Sequence, residues 1–242
     1  MKNMILVLAI LLLNSCVTNA SSVPSQPWRV SVTMPSFYPV DVTQVYGVNN
    51  KEDWTVLLHG YLHTMRNSEL DRVRKSFSDY DGFGLSLVNG TIGAQIGTGT
   101  THLPDTLYLY WVSLFDTKFY VTKYELPEQV KQLISTEVSY TRIDGAFFES
   151  CYRTQFIFGL LPNGQAKVWL GGCGQTTFLA ELAPDQTLER DSNGFKDETY
   201  KLSPDLKTIQ KRAKDAGVEL EPIPWDKVNK VYSRYEIKML DE

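Results

Sequence analysis

Apolar and polar residues alternate along most of this chain, and such alternation predicts β-strands. Runs of this kind, or short apolar runs of strand length, occupy residues 28–33, 40–48 and 53–58. The run 107–114 is apolar at both alternate sets of positions, which predicts a central strand that is covered on both faces. Residues 118–124 follow it after a three-residue turn and are its predicted hairpin partner.

Two further turn sequences predict hairpins. Asn89-Gly90 suits the primed turn that joins two antiparallel strands, and Pro162-Asn163-Gly164 contains a similar signal. The strands joined by these turns are 83–88 with 91–96, and 152–161 with 165–172. A last alternating run, 231–239, predicts a strand near the C-terminus.

Apolar residues spaced three and four apart predict three helices. We predict that one begins at Ser68, one at Pro127 and one at Ser203. Asp71 stands where a capping box places an acid, and Gly217 suits the end of the third helix. The apolar faces are Leu70, Val73 and Phe77, then Val130, Leu133 and Ile134, and then Leu206, Ile209, Ala213 and Ala216.

These elements predict a single domain of the α+β class. Strand signals outnumber helix signals and the connections are short, so we expect a mostly antiparallel β-sheet with about three helices. The domain is expected to span residues 28–242, with a surface loop at 190–198. Hydrophobic residues make up 43% of the chain, which is enough for a sizeable core without a cofactor.

The first sixteen residues have a different pattern, which reads MKNMILVLAILLLNSC. A lysine precedes an apolar run of about nine residues, a length typical of a signal peptide and far below the ~20 needed to cross a bilayer. Leu13 and Ser15 stand three residues and one residue before Cys16, the arrangement of a lipobox. We therefore expect residues 1–15 to be removed and Cys16 to be lipidated. Cleavage after Ala20, which would release a soluble periplasmic chain, is the alternative.

Residues 16–27 are predicted to form the lipidated N-terminus and a tether. The residues after Cys16 are small, polar and interrupted by proline, and eleven of them reach at most about 35–40 Å. Val17, rather than an aspartate, follows the cysteine, as is usual in bacterial lipoproteins of the outer membrane. The expected location is the outer membrane, lipid-anchored, with the domain facing the periplasm.

Charge argues against a nucleic-acid partner. The full chain has a net charge of −4, and removal of a signal peptide that holds one lysine and no acid leaves −5. A protein that binds nucleic acid needs a basic face to neutralise phosphates, and this composition does not provide an excess of basic residues.

Two cysteines remain after the predicted anchor, Cys151 and Cys173. Because the periplasm is oxidising, a disulfide between them is expected, with two free buried thiols as the alternative. A turn centred on Asn163-Gly164 would place Cys151 opposite about Thr176, so we expect a bulge or slip near residues 171–174 to bring the two cysteines together.

Several residues resemble parts of catalytic or metal-binding motifs, but the surrounding sequence does not complete those motifs. His59 and His63 follow a predicted strand, where four residues span about 13 Å, too far for one metal ion. The segment 84–88 carries Ser86 but lacks the second glycine of a nucleophile elbow, and only His102 follows it. We therefore predict no catalytic residue, no metal site and no cofactor, and we expect the protein not to be an enzyme.

Three blocks of sequence together resemble the bacterial lipoprotein family catalogued as domain of unknown function 2931. The first block is Trp28-x-Val30 with Pro35-x-x-Tyr38-Pro39-Val40. The second covers 103–114 with 118–120 and Leu126-Pro127, and the third covers 158–172. The resemblance brings no catalytic residues to this chain.

Some members of that family resemble immunity lipoproteins that are paired with phospholipase effectors of type VI secretion systems. The resemblance thus implies a membrane-anchored periplasmic protein that binds and neutralises a secreted phospholipase. It does not identify the contact residues. A structural or accessory envelope lipoprotein with no toxin partner is the alternative.

Overall fold

The computed structural model describes residues 24, 26–59, 70–88 and 90–240, except for the side chain of residue 205. The strands are β1 Arg29–Thr33, β2 Val40–Asn49, β3 Trp54–His59, β4 Leu85–Ser86, β5 Thr91–Gln95, β6 Thr106–Ser113, β7 Phe119–Glu125, β8 Val138–Thr141, β9 Phe147–Cys151, β10 Gln155–Leu160, β11 Ala166–Gly172, β12 Gln175–Leu182, β13 Gln186–Leu188, β14 Val231–Tyr232 and β15 Ile237–Met239. The helices are α1 Leu70–Arg74, α2 Glu128–Ser135, α3 Asp197–Lys201, α4 Pro204–Asp215 and α5 Trp225–Val228.

Eleven strands form one mixed sheet in the order β13-β7-β6-β2-β3-β5-β1-β10-β11-β12-β15. Neighbouring strands are antiparallel except for β1 with β10 and β12 with β15, which are parallel. The remaining strands pair as β14 with β4 and β8 with β9. The prediction of an α+β fold dominated by antiparallel strands is therefore confirmed at this level.

The large sheet folds back on itself and encloses the main core. The Tyr124 ring of β7 lies 6.5 Å from Phe156 and 6.3 Å from Phe158 of β10, so the two ends of the sheet face each other. We call β13, β7, β6, β2, β3 and β5 half-sheet I, and β1, β10, β11, β12 and β15 half-sheet II. The inward residues of both halves form one cluster with Val130 and Ile134 of α2.

A second core covers the outer face of half-sheet II. Ile157 of β10 and Trp169 of β11 point away from the main core and pack with Leu85, Ala213 and Val228. This cover consists of β4, α4, α5 and the chain around residues 37–38. Strands β10 and β11 therefore have both faces buried, which explains their nearly continuous apolar sequence.

The prediction that 107–114 is covered on both faces is correct only at the C-terminal end of β6, where the outward Val112 is buried with Tyr200 and Ile209. Leu107, Leu109 and Trp111 of β6 are buried in the main core, whereas Tyr108 and Tyr110 are only partly buried on the outer face. The strand is central, because it pairs with β2 and β7. Tyrosines are apolar enough to imitate a doubly covered strand while keeping their hydroxyls at the surface.

The predicted hairpin 83–88 with 91–96 is also wrong. β4 pairs in parallel with β14, and β5 pairs with β1 and β3 instead. Phe83, Leu85 and Leu87 belong to the second core, on the far side of half-sheet II, so the chain changes layers at the expected turn. Because these three side chains are buried in the second core, β4 pairs with β14 and does not form the hairpin that the local turn sequence predicts.

The helices differ from the prediction in number. The second and third predicted helices are confirmed as α2 and α4, but α1 is only five residues long and ends before Phe77. Its predicted start, Ser68, lies outside the described residues. Two short helices were not predicted: α3 begins inside the expected loop 190–198, and α5 precedes the C-terminal strands. The predicted strand 231–239 is two short strands, β14 and β15, which belong to different sheets.

Candidate interaction site

The hairpin of β8 and β9, residues 138–151, contains no fully buried residue. Its turn residue Ile143 is 73% exposed and Phe147 of β9 is 62% exposed, and polar exposed residues surround both. Large apolar side chains at this exposure on a rigid element are typical of interaction surfaces. We call the residues 138–151 the aromatic hairpin.

Local turn chemistry builds the tip of the aromatic hairpin. The N–H of Gly145 donates to the carbonyl of Arg142, and the N–H of Arg142 donates to the carbonyl of Ala146. Gly145 has φ +89°, a conformation that favours glycine. This pattern is a three-residue hairpin loop with a glycine at its last position, and it presents Ile143 at the apex.

Side-chain contacts stiffen the same hairpin. Tyr140 and Phe148 face each other across the two strands with stacked rings 5.2 Å apart, and the Arg142 guanidinium lies 5.7 Å from the Phe148 ring centre. Arg142 also donates to both carboxylate oxygens of Asp144, at 2.8 and 2.5 Å. That contact, with the Ala146 N–H, lowers the pKa of Asp144 to about 2, so the pair stays charged at neutral pH.

A disulfide attaches the base of the aromatic hairpin to half-sheet II. Cys151 ends β9, and Cys173 lies in the turn between β11 and β12, with the two Cα atoms 5.8 Å apart. The expected disulfide is thus present in the structure, but the expected bulge is not its cause. β10 begins only at Gln155, so Cys151 lies outside the β10–β11 ladder and approaches Cys173 from the end of the sheet.

Three consecutive residues shape the turn that receives the hairpin. Gly172, Cys173 and Gly174 have φ values of +144°, +54° and +69°. A Cβ at Gly172 would lie 2.9 Å from the Cα of Arg153, and one at Gly174 would lie 3.0 Å from the Tyr140 ring. The two glycines therefore allow the backbone at Arg153, just after the hairpin, and the Tyr140 ring of the hairpin to pack directly on the turn.

A second feature is a polar cleft of about 360 Å³ beside the point where the N-terminal segment joins the domain. Glu52 accepts from Trp54 and contacts His102 Nδ1 at 2.9 Å, and Lys131 donates to Asp105 at 2.8 Å. The Trp54 and His102 contacts lower the pKa of Glu52, and the Lys131 contact lowers that of Asp105. These carboxylates are therefore ionised partners that brace loops, rather than proton donors at neutral pH.

The other residues singled out in the sequence are scattered. His59 is exposed at the end of β3, Ser86 is buried in β4, and His63 lies outside the described residues. The predicted lipidation site, Cys16, also lies outside them. Within the described ranges, no group of three or more His, Cys, Asp or Glu side chains is placed to hold a metal ion. No helix in that part of the chain is long and apolar enough to cross a membrane.

Sequence reasoning missed the aromatic hairpin, although a signal for it exists. Asp144-Gly145 is a strong hairpin turn, and it separates two runs that contain Val138, Tyr140 and Phe147. The runs are only four and five residues long. The first run alternates but is short, and the second is mostly exposed and does not alternate.

Comparison with known proteins matches residues 15–226 to the family described as "Protein of unknown function (DUF2931)". No curated protein and no solved structure matches the chain. The family match covers most of the chain, including every strand of the large sheet except β15, the aromatic hairpin and the disulfide. The chain belongs to this family of proteins of unknown function.

Proposed function

We propose that this protein is a membrane-anchored periplasmic lipoprotein that binds and neutralises a secreted phospholipase effector, as an immunity protein. The observation that carries the proposal is the aromatic hairpin, an exposed apolar tip on a covalently fixed base. The hairpin would contact the effector directly, with Ile143 and Phe147 as the central contacts.

Rigidity makes this hairpin suitable for binding. A flexible loop loses conformational entropy when a partner orders it, and that loss reduces affinity. Here the disulfide fixes the base, the ring stack of Tyr140 and Phe148 fixes the strands, and the pair of Arg142 and Asp144 fixes the turn. Most of the cost of ordering is therefore met during folding, before the partner arrives.

The chemistry of the tip fits an enzyme that acts on lipids. A phospholipase must admit acyl chains, so the approach to its active site is expected to be apolar. Ile143 and Phe147 offer an aliphatic and an aromatic side chain on one narrow element, flanked by polar residues such as Glu149. An apolar tip with a polar surround matches the usual anatomy of a protein interface.

The proposed anchor places the hairpin where such an enzyme works. Lipidation at Cys16 would hold the domain within the reach of a short tether from the bilayer. Confinement beside the substrate raises the effective concentration of the inhibitor there without any new contact. A Cys16→Ser variant that remained membrane-bound would contradict lipidation at this residue.

Affinity capture from the producing strain, followed by a phospholipase assay of the captured material, tests the function. We expect a secreted phospholipase to co-purify and to lose activity when the full chain is added back. We also expect cells that lack the protein to become sensitive to sibling cells. Capture of envelope-assembly components alone, with no lipase and no change in sensitivity, would reject the proposal and favour an accessory envelope role.

A further inference from the structure

A row of side chains crosses the outer face of half-sheet I on four adjacent strands. Tyr108 of β6 pairs with Tyr46 of β2, and Tyr46 pairs with Leu57 of β3. The N–H of Ile96, one residue beyond β5, donates to the Leu57 carbonyl at 2.8 Å. Residues paired in this way project from the same side of the sheet, and Ile92 shares that side because it lies four residues before Ile96.

The row changes from aliphatic to tyrosine along its length. Ile96, Ile92 and Leu57 are 53%, 47% and 42% exposed. At the other end the rings of Tyr46 and Tyr108 stack 5.1 Å apart, and a third tyrosine, Tyr110, follows. We call Leu57, Ile92 and Ile96, with Tyr46 and Tyr108 at their border, the aliphatic face.

The N-terminal segment joins the domain beside this face. Gln26 and Pro27 line a cleft of about 300 Å³ together with Ala94, which lies between Ile92 and Ile96 on the same side of β5. Trp28 fixes the segment there, because its Nε1 donates to the His102 carbonyl at 2.9 Å.

The length of the preceding segment limits how far the aliphatic face can lie from the anchor. Seven residues, 17–23, separate Cys16 from the first described residue, Pro24, so the Cα atoms of these two residues lie at most about 28 Å apart. If Cys16 carries acyl chains, this short segment keeps the anchor near the aliphatic face, beside which Gln26 and Pro27 lie.

We infer that the aliphatic face lies against the lipid bilayer to which the protein is anchored. Aliphatic side chains suit the hydrocarbon boundary, and tyrosines suit the headgroup level, where the ring is buried and the hydroxyl stays wet. Arg29, exposed at the start of β1 beside β5, adds a positive charge that anionic headgroups attract. The inference rests on the anchor in the proposed function and goes beyond it by assigning the side of the domain that meets lipid.

Few side chains are enough for such a contact. A soluble domain with three exposed aliphatic residues would bind a bilayer only weakly, but the tether keeps the surface within reach and makes a weak contact effective. The main core separates the two half-sheets, so this face and the Cys173 turn that holds the aromatic hairpin belong to opposite layers. The two surfaces therefore consist of different residues, so one can be altered without the other.

Lipid-dependent quenching tests this inference. Ile96→Cys, and Ile143→Cys as the matched control, are labelled with an environment-sensitive dye in the full lipidated chain. Each is reconstituted into vesicles of phosphatidylethanolamine and phosphatidylglycerol that carry a lipid-bound quencher. We expect several-fold more quenching and a bluer emission at position 96 than at 143. Unchanged unfolding midpoints confirm that both labelled variants are folded.

The other outcomes separate the two hypotheses. A chain that sediments with vesicles but shows equal quenching at both positions overturns the inference and leaves the anchor intact. A chain that does not sediment contradicts both the anchor and the inference. A position-96 dye that shifts only when the captured lipase is added shows that the face binds protein rather than lipid, which also overturns the inference.

Discussion

Replacing both Cys151 and Cys173 by serine is expected to lower the free energy of unfolding by about 3 kcal/mol. The disulfide closes a loop with a sequence separation of 22 residues, and a loop of that length removes this much chain entropy from the unfolded state. Urea unfolding of the oxidised wild type and of the double variant, followed by tryptophan fluorescence, measures the difference. The aromatic hairpin, whose base the disulfide holds, should lose its hydrogen-exchange protection first.

Reduction of the wild type is the matched control for that variant. A reducing agent should lower the midpoint of the wild type to that of the double variant and leave the double variant unchanged. If the oxidised wild type and the double variant unfold at the same urea concentration, the disulfide does not stabilise this fold, and the rigid hairpin on which the proposed function depends loses its support.

Trp28→Ala is expected to cost about 3–5 kcal/mol of unfolding free energy, the usual range for loss of a large buried aromatic side chain. Trp28 is fully buried where β1 begins, and its Nε1 donates to the His102 carbonyl. Removal of the ring therefore leaves that carbonyl without this donor. Its ring lies so close to Gly47 that a Cβ there would be 2.6 Å away. The variant therefore opens a cavity and releases the N-terminal segment together.

Trp225→Ala provides the control for this prediction, because Trp225 is partly exposed at the start of α5. It should change the unfolding free energy far less than Trp28→Ala in the same urea titration. Equal effects of the two variants would contradict the position of Trp28 as the residue that fixes the start of the domain.

The sequence predicts best where a strand and its partner are joined by a short turn. The pairs β6 with β7 and β10 with β11 are confirmed, because at both sites two runs of strand length are joined by a short turn. Prediction fails where a partner lies far along the chain. β4 pairs with β14, which comes about 145 residues later, and no local signal can identify that partner over the nearby Asn89-Gly90 turn.

The candidate site also has one feature that the sequence predicts and one that it does not. An expected oxidising compartment and the pair of cysteines that remains after the predicted anchor predict the bond between Cys151 and Cys173, and the structure contains it. The hairpin that this bond holds was missed, because its strands are only four and five residues long and β9 is mostly exposed, so burial imposes no alternation on that strand. Exposed apolar residues such as Ile143 are recognisable as a surface only once the fold shows that nothing in the described chain covers them.

The most direct test of the account compares partner capture by two double variants of the full chain. Ile143→Asp with Phe147→Asp alters the aromatic hairpin, and Ile92→Asp with Ile96→Asp alters the aliphatic face on the opposite layer. We expect the hairpin variant to bind the captured phospholipase at least about 30-fold more weakly, the effect of losing one interface hot spot, while the other variant binds it like the wild type. Equal binding by the hairpin variant and the wild type would contradict the central claim.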